Sequence, residues 1–275
     1  MQERAVTPIR APVKGTRTRA RACCTRAAAC EVKSASAAYV RNIVSQLASG
    51  LRAARLVAML PPGESSADRL THYGGVQRLP YAKLELFQRR DFLSPDHCAE
   101  LIALIETNRR PSTIADHNGD EYFRTSETCD LDPDLDAVGA LEAMLEELSG
   151  IDSAHGEPVQ GQRYEVGQEF KPHNDWFEPN GADYEKYCAV AGQRTWTFMI
   201  YLNEVEAGGA TRFKTVKKSF QPETGKLLCW NNRRLDPATG QMVGNVNALH
   251  HGMKVRRGLK YVITKWYREK PWGWS

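Results

Sequence analysis

Three short fragments of this 275-residue chain carry residue types that could hold a metal ion and an acidic co-substrate beside it. The first runs from Tyr164 to Asp175, YEVGQEFKPHND. On an extended segment, residues i and i+2 point to the same side. His173 and Asp175 would therefore present an imidazole and a carboxylate to one point. The second fragment, NALHHG at 247–252, adds a third donor from His250 or from its neighbour His251. On a strand those two face opposite ways, so only one can join. The third fragment is RRGLKY, with Lys260 ten residues past His250. Two imidazoles and one carboxylate on one face of an octahedron leave three positions open, the arrangement of non-haem iron(II) oxygenases. Those positions suit a bidentate 2-oxo acid and dioxygen. A desolvated lysine would anchor the far carboxylate of such a co-substrate through a charge-assisted hydrogen bond.

The elements that must position these residues are legible as a change of period. Beyond residue 157 the chain reads as short β-type runs broken by Gly, Pro and Asn: GQRYEV, RTWTFMIYL, ATRFKTV, GKLLCW, NALHH and KYVITKWY. Upstream, AKLELFQRR from residue 82 predicts a strand. Ser94-Pro95 is an N-cap followed by proline at the first helical position, and its helix places Cys98, Leu101, Ile102 and Ile105 on one face. Asp132-Pro133 repeats the start signal. Its helix aligns Leu135, Val138, Leu141, Leu145 and Leu148 and stops at Gly150. Helices followed by many short strands predict an α+β domain whose second half is a β-sandwich or jelly roll.

Composition, 41% apolar and 25% charged, is that of an ordinary globular chain. No run approaches the roughly 18–20 apolar residues of a membrane span. Residues 1–60 carry 11 Lys plus Arg against Glu3 and Glu31, leaving 26 basic and 31 acidic residues beyond them. The basic character thus belongs to the N-terminus, and the body gives little support for a nucleic-acid footprint. Residues 1–35 are Arg-, Ala-, Ser- and Thr-rich and predict disorder. They also read as an organellar transit peptide, or as sequence upstream of a true start near Met59. Residues 36–58 predict a surface helix, and 61–81 a linker that begins at PPGESSAD. The seven cysteines lack a CxxC pair, which argues against a disulfide framework or structural zinc and for a reducing, cytoplasmic compartment. Cys98 and Cys229 read as small core residues. His72, His97, His117 and His155 lack ligand spacing and read as surface residues.

A lone HxD is a weak signal. Its order here, followed by GGATRF (208–213), then LHxG, then a lysine, is specific. With YEVGQEFKPHND, QRTWTFMIYLNEVEAGGATRF, LLCWNN and ALHHGMKVRRGLKYVITKWY, the stretch 157–268 resembles the prolyl 4-hydroxylase family of 2-oxoglutarate dioxygenases. FLSPDHCAELI and Arg124-Thr-Ser extend the resemblance upstream, to roughly 84–270.

The resemblance implies a double-stranded β-helix (jelly-roll) core over 157–270, with helices packed on one side and 82–156 as the N-terminal part of the catalytic domain. It implies His173, Asp175 and His250 as iron ligands, its register choosing His250 over His251. Lys260 becomes the anchor of the 2-oxoglutarate distal carboxylate, and Tyr164 and Thr211 supply hydroxyls to the co-substrate. Trp266 matches an aromatic near the site, and Arg124 and Arg194 match positions facing a peptide groove. Fe(II), 2-oxoglutarate, O2 and ascorbate are the implied cofactors and co-substrates, and a prolyl residue of a protein or peptide the implied substrate. No nucleic-acid or membrane partner is implied.

Some positions depart from the family. Phe170 stands where tyrosine is common, Tyr261 follows Lys260 where tryptophan is usual, and 176–193 forms an insert expected to act as a substrate-side lid. A free amino acid or small metabolite is an alternative substrate. A catalytically inactive module that binds proline-rich segments is the alternative of another class.

Overall fold

The computed structural model describes residues 65–112, 122–181 and 184–273, all within one compact unit, Met59–Ser275. The readings of residues 1–58, together with Cys23, Cys24, Cys30 and His117, lie outside the described residues. Helix α1 (Ser66–His72) leads into strands β1 (Gln77–Arg78) and β2 (Leu86–Arg89), then helix α2 (Pro95–Thr107). Strands β3 (Arg110–Pro111) and β4 (Glu127–Asp130) precede helix α3 (Asp136–Ser149). Next come β5 (Gln160–Tyr164), β6 (Phe170–His173), the short helix α4 (Tyr184–Cys188) and β7 (Arg194–Tyr201). They are followed by β8 (Ala207–Gly208), β9 (Thr211–Phe213), β10 (Lys218–Phe220) and β11 (Leu227–Asn231). The chain closes with β12 (Arg233–Leu235), β13 (Met242–Gly244), β14 (His250–Gly252), β15 (Val255–Arg257) and β16 (Lys260–Arg268).

Eight strands form an antiparallel sheet in the order β1-β2-β11-β7-β16-β5-β4-β3, and four form a second in the order β10-β9-β14-β6. Neighbours distant in sequence make this a jelly roll. The pleat gives the large sheet two buried faces. Phe198 and Ile200 of β7, Leu227 and Cys229 of β11, and Tyr261, Ile263 and Tyr267 of β16 pack with Leu101 and Ile105 of α2 and Val138, Leu141, Leu145 and Leu148 of α3. The alternate residues Met199, Tyr201, Leu228, Trp230 and Val262 pack with Phe213 and Phe220 of the small sheet. The helices therefore cover one side, and the other side faces the second sheet. Gly161 of β5 permits the close approach of α2, since a Cβ there would lie 2.3 Å from Ile105 Cγ1.

Helix α2 begins as expected, with Ser94 Oγ accepting from His97 N at 3.2 Å and Pro95 opening the first turn. Helix α3 starts later than Asp132-Pro133 predicts. Asp132 instead closes a turn, accepting from Asp134 N (3.0 Å) on its side chain and from Leu135 N (3.2 Å) on its carbonyl. Leu135 becomes an N-cap without a side-chain bond and is exposed rather than part of the apolar stripe. The helix ends at Gly150 in the left-handed region, φ 69°. The expected linker over 61–81 is corrected as well. From Ser65 onward it belongs to the fold: Leu70 is fully buried, and Arg69 Nε and Nη2 donate to Glu147 O at the end of α3 at 3.1 and 2.9 Å.

Cys98 and Cys229 are buried, as are Cys129 and Cys188, all as free thiols. His97 and His155 are half-buried tethers to Ala137 O and Arg268 O rather than surface residues. Within the predicted strand NALHH, 246–248 is a single 3-10 turn and the strand starts at His250. Of AKLELFQRR, only Leu86–Arg89 pairs as strand. Among the described residues, no helix is long and apolar enough to cross a membrane.

Candidate active site

β6 and β14 are hydrogen-bonded neighbours in the small sheet, with His250 directly opposite His173. Asp175 follows β6 by two residues, and the register brings the three side chains together. One ligand atom from each of His173, Asp175 and His250 lies within 4.8 Å of the others. His173 Nε2 is 3.7 Å from Asp175 Oδ1, and His250 Nε2 is 3.9 Å from Asp175 Oδ2. Each ring is aimed by its own backbone: His173 Nδ1 bonds Lys171 O at 2.8 Å and His250 Nδ1 bonds Ala248 O at 3.0 Å. A carbonyl can only accept, so Nδ1 carries the proton and the Nε2 lone pairs face the centre. His251 points away and bonds Glu169 Oε2 at 2.9 Å, as the alternation of a strand requires.

The electrostatics keep this set ready for a cation. Burial pushes His173 down to about 3, with His250 adding to the effect, so its imidazole is neutral at ordinary pH. Burial alone would raise the Asp175 carboxyl. His250, His173, Arg194 and a hydrogen bond from Thr197 outweigh it, and Asp175 stays ionised below the usual range. Thr197 Oγ1 lies 2.7 Å from Asp175 Oδ2, and Asn232 Nδ2 lies 2.7 Å from Thr197 Oγ1. Thr197 lies within RTWTFMIYL and Asn232 ends LLCWNN, but neither stands out there by type or spacing, and only the fold brings them to Asp175. Phe170 stacks on His173 with ring centroids 3.5 Å apart, which holds the first imidazole from outside.

The same cavity is also lined by Gln162, Tyr164, Thr211, Thr264, Trp266 and Lys260. Lys260 is 2% exposed, its Nζ lies 4.9 Å from the Tyr164 ring and 5.6 Å from that of Tyr201, and burial pushes its ammonium down to about 7. No acid among the described residues forms an ion pair with it. Tyr164 donates its hydroxyl to Gln162 Oε1 at 2.8 Å, and Thr211 Oγ1 lies 3.7 Å from Met199 Sδ.

The two arginines differ in their engagements. Arg194 makes a two-pronged ion pair with Glu157 (2.6 and 2.7 Å) and stacks 4.0 Å over the Trp266 ring. Its guanidinium is thus committed within the protein. Arg124 binds Ser126, Thr128 and Gln160 side chains at 2.8–3.2 Å and lies 4.9 Å over Phe170, with hydroxyls and an amide as partners instead of an acid. The insert expected as a lid is clamped at its root. Gln193 bonds both the N–H and the carbonyl of Phe177, and Arg268 donates to Tyr187 O and Gly192 O at 3.1 and 2.7 Å. Tyr261, the second departure, spends its hydroxyl on Glu106 (2.6 Å) and Arg163 (3.3 Å), on the far side of the sheet from the cavity.

Residues 159–268 match the model of the 2OG-Fe(II) oxygenase superfamily. The chain is 31% identical over 208 residues to probable prolyl 4-hydroxylase 3 of Arabidopsis thaliana, an alignment covering 66% of this chain and 68% of that protein. Among solved structures it is similar to the viral collagen prolyl hydroxylase of Paramecium Bursaria Chlorella virus-1 in its 2OG complex. There the TM-score is 0.51 at 26% identity, over 66% of this chain and 94% of the other. A Trichoplax adhaerens prolyl hydroxylase, solved with a hypoxia inducible factor peptide fragment, shares the fold with a TM-score of 0.52 at 16% identity, over 82% and 92% of the two chains.

Proposed function

The chain belongs to the 2OG-Fe(II) oxygenase superfamily, among its prolyl 4-hydroxylase-like members, and from that premise we propose that it hydroxylates prolyl residues of a protein or peptide while converting 2-oxoglutarate and O2 to succinate and CO2. One observation carries the reading: a His, Asp, His set converges in the cavity that also holds a buried lysine without a counter-ion among the described residues. The donor set fits iron(II), since two neutral imidazoles and one carboxylate bind without saturating it. His173, Asp175 and His250 would hold the metal. When bound, iron couples the oxidative decarboxylation of 2-oxoglutarate to hydroxylation of a C–H bond.

The protein's own groups do the rest. Lys260 offers a buried cation in that cavity, where a carboxylate is attracted more strongly than in water. A dianionic 2-oxo acid would be held with one end at Lys260 and the other at the metal. Thr211 adds a hydroxyl donor along its length, and Tyr164 would add a second on exchanging Gln162 Oε1 for the co-substrate. The aromatic walls, Phe170, Trp230 and Trp266, exclude water from the reacting end. Arg124 has no acidic hydrogen-bond partner among the described residues and would meet a peptide carbonyl, whereas Arg194 would serve substrate binding by fixing the face of Trp266. Ascorbate is the proposed reductant that maintains the metal.

The first test is anaerobic titration of apo-protein with Fe(II), then 2-oxoglutarate, watching for the visible metal-to-ligand charge-transfer band. The band is expected. Its absence in folded protein that retains iron overturns the reading and brings forward an inactive module that binds proline-rich segments. With the band in hand, proline-containing peptides are compared with free amino acids for gain of one oxygen atom. Hydroxylation of free amino acids alone would replace the peptide with a small-metabolite substrate.

A further inference from the structure

We infer that Thr197 and Asn232 form a relay that restricts Asp175 to one liganding oxygen, Oδ1, and so keeps a coordination position open for the co-substrate. Thr197 sits within β7 and Asn232 follows the last residue of β11, and both are fully buried. Thr197 Oγ1 stands between Asp175 Oδ2 and Asn232 Nδ2, 2.7 Å from each. A hydroxyl has one proton to give. Ionised Asp175 can only accept, so that proton goes to Oδ2, and toward Asn232 the hydroxyl can then only accept. Asn232 must therefore present its NH2 group.

The orientation of that amide supports the direction of the relay. It leaves Asn232 Oδ1 buried with no partner among the described residues, and an unsatisfied buried acceptor costs about 1–3 kcal/mol. A flipped amide would aim Oδ1 at Thr197 and compete with Asp175 for its only proton. The backbone keeps Asn232 in place: its N–H donates to Thr195 O at 2.7 Å, and its carbonyl accepts from Asn245 N at 2.8 Å. With Oδ2 engaged, Oδ1, 3.7 Å from His173 Nε2, is the oxygen free to ligate. A carboxylate binding through both oxygens would take one of the positions that a bidentate co-substrate and O2 require. Thr197 and Asn232 are positioning residues, acting through Asp175.

This inference rests on reading His173, Asp175 and His250 as metal ligands, and the test separates the two. Mn(II) affinity is measured by calorimetry, and anaerobic 2-oxoglutarate affinity by the charge-transfer band of the Fe(II) form, in the full-length protein and three variants. Thr197→Val is expected to keep metal affinity within severalfold and to weaken 2-oxoglutarate binding about 10–100-fold, the size of the loss of one hydrogen bond to a charged group. Thr197→Ser restores the hydroxyl and should restore binding. Asn232→Asp turns the donor into an acceptor that draws off the Thr197 proton, and should reproduce the Thr197→Val defect. Failure of the unaltered protein to bind metal overturns the ligand reading and this inference with it. Metal binding by the unaltered protein with unchanged 2-oxoglutarate affinity in Thr197→Val and Asn232→Asp overturns the relay alone. Parallel loss of metal and co-substrate affinity in both variants reduces the pair to structural support and also overturns it.

Discussion

The two faces of the large sheet are made by the same strands and do opposite things. Toward the helices, Phe198, Ile200, Leu227, Cys229 and Ile263 bury apolar surface, and the buried Lys265 among them is paired with Glu142 of α3 at 2.5 Å. Toward the small sheet, the residues one step along those strands and on β5 include Thr197, Gln162, Thr264 and Lys260, all buried and polar. Burying polar groups is costly unless they are paired. The helix face supplies the apolar burial that lets the other face hold an unpaired cation and a converging ligand set. The lesson is one of division of labour by pleat: stability and chemistry alternate residue by residue along β7, β11 and β16.

Predictions that test this division follow from the largest effect to the smallest. Asp175→Ala should abolish succinate formation while leaving the thermal midpoint near that of the unaltered protein. Wild-type turnover in that variant would remove Asp175 from the ligand set. On the other face, Phe198→Ala should do the reverse. It removes a fully buried ring flanked by Trp196 and Tyr267, at about 3–5 kcal/mol of stability. The 2-oxoglutarate KM of the protein that remains folded should be unchanged. A large KM change there would show that the two faces are not separable.

Lys260→Met should cut both ways. Loss of a charge-assisted hydrogen bond, about 1.5–3 kcal/mol, should raise the 2-oxoglutarate KM about 10–100-fold. Removal of a lone buried charge should raise the melting temperature of the apo-protein. A KM that does not move would take Lys260 out of the co-substrate site. The pH profile sharpens the same point. The Lys260 ammonium is held down to about 7 from an ordinary 10.5, so 2-oxoglutarate affinity should fall as pH rises through about 7. Between those values the unfolded chain binds the proton that the folded chain has lost. Apo-protein stability from this group therefore rises with pH across that window, and Lys260→Met should remove that rise. The smallest effect is expected at Gly150→Ala. A left-handed φ of 69° and a Cβ placed 2.8 Å from Arg69 Cδ should cost about 1 kcal/mol, with kinetics unaltered.

The pairing of His173 with Asp175 and the strand-rich second half were legible because they depend on local rules, whereas the choice of His250 over His251 and of a jelly roll over a sandwich came from the family resemblance. HxD on an extended segment, a second histidine motif and a lysine ten residues on are spacings, and alternation along short runs predicts strands facing two ways. Helix ends were less legible. Ser94-Pro95 works as written, but Asp132 satisfies a turn first and shifts α3 to Asp136. The expected linker concealed α1, because seven residues with two buried side chains, Ala67 and Leu70, are too short to show a helical period. Arg194 read as a residue facing a groove, yet its partner Glu157 lies 37 positions away, a distance no motif spans.

By itself, then, the sequence determined which donor atoms exist, which of them share a side of a strand, and where the chain changes from helical to extended. Tertiary structure alone decided that His250 stands opposite His173, that Lys260 forms no ion pair with an acid among the described residues, and that Thr197 and Asn232 hold Asp175 from β7 and the end of β11. The physical reason is one of range. Side-chain direction along a strand is fixed by the pleat within a few residues. Pairing register and buried hydrogen bonds are fixed by contacts between strands distant in the chain, and only the assembled sheets specify them.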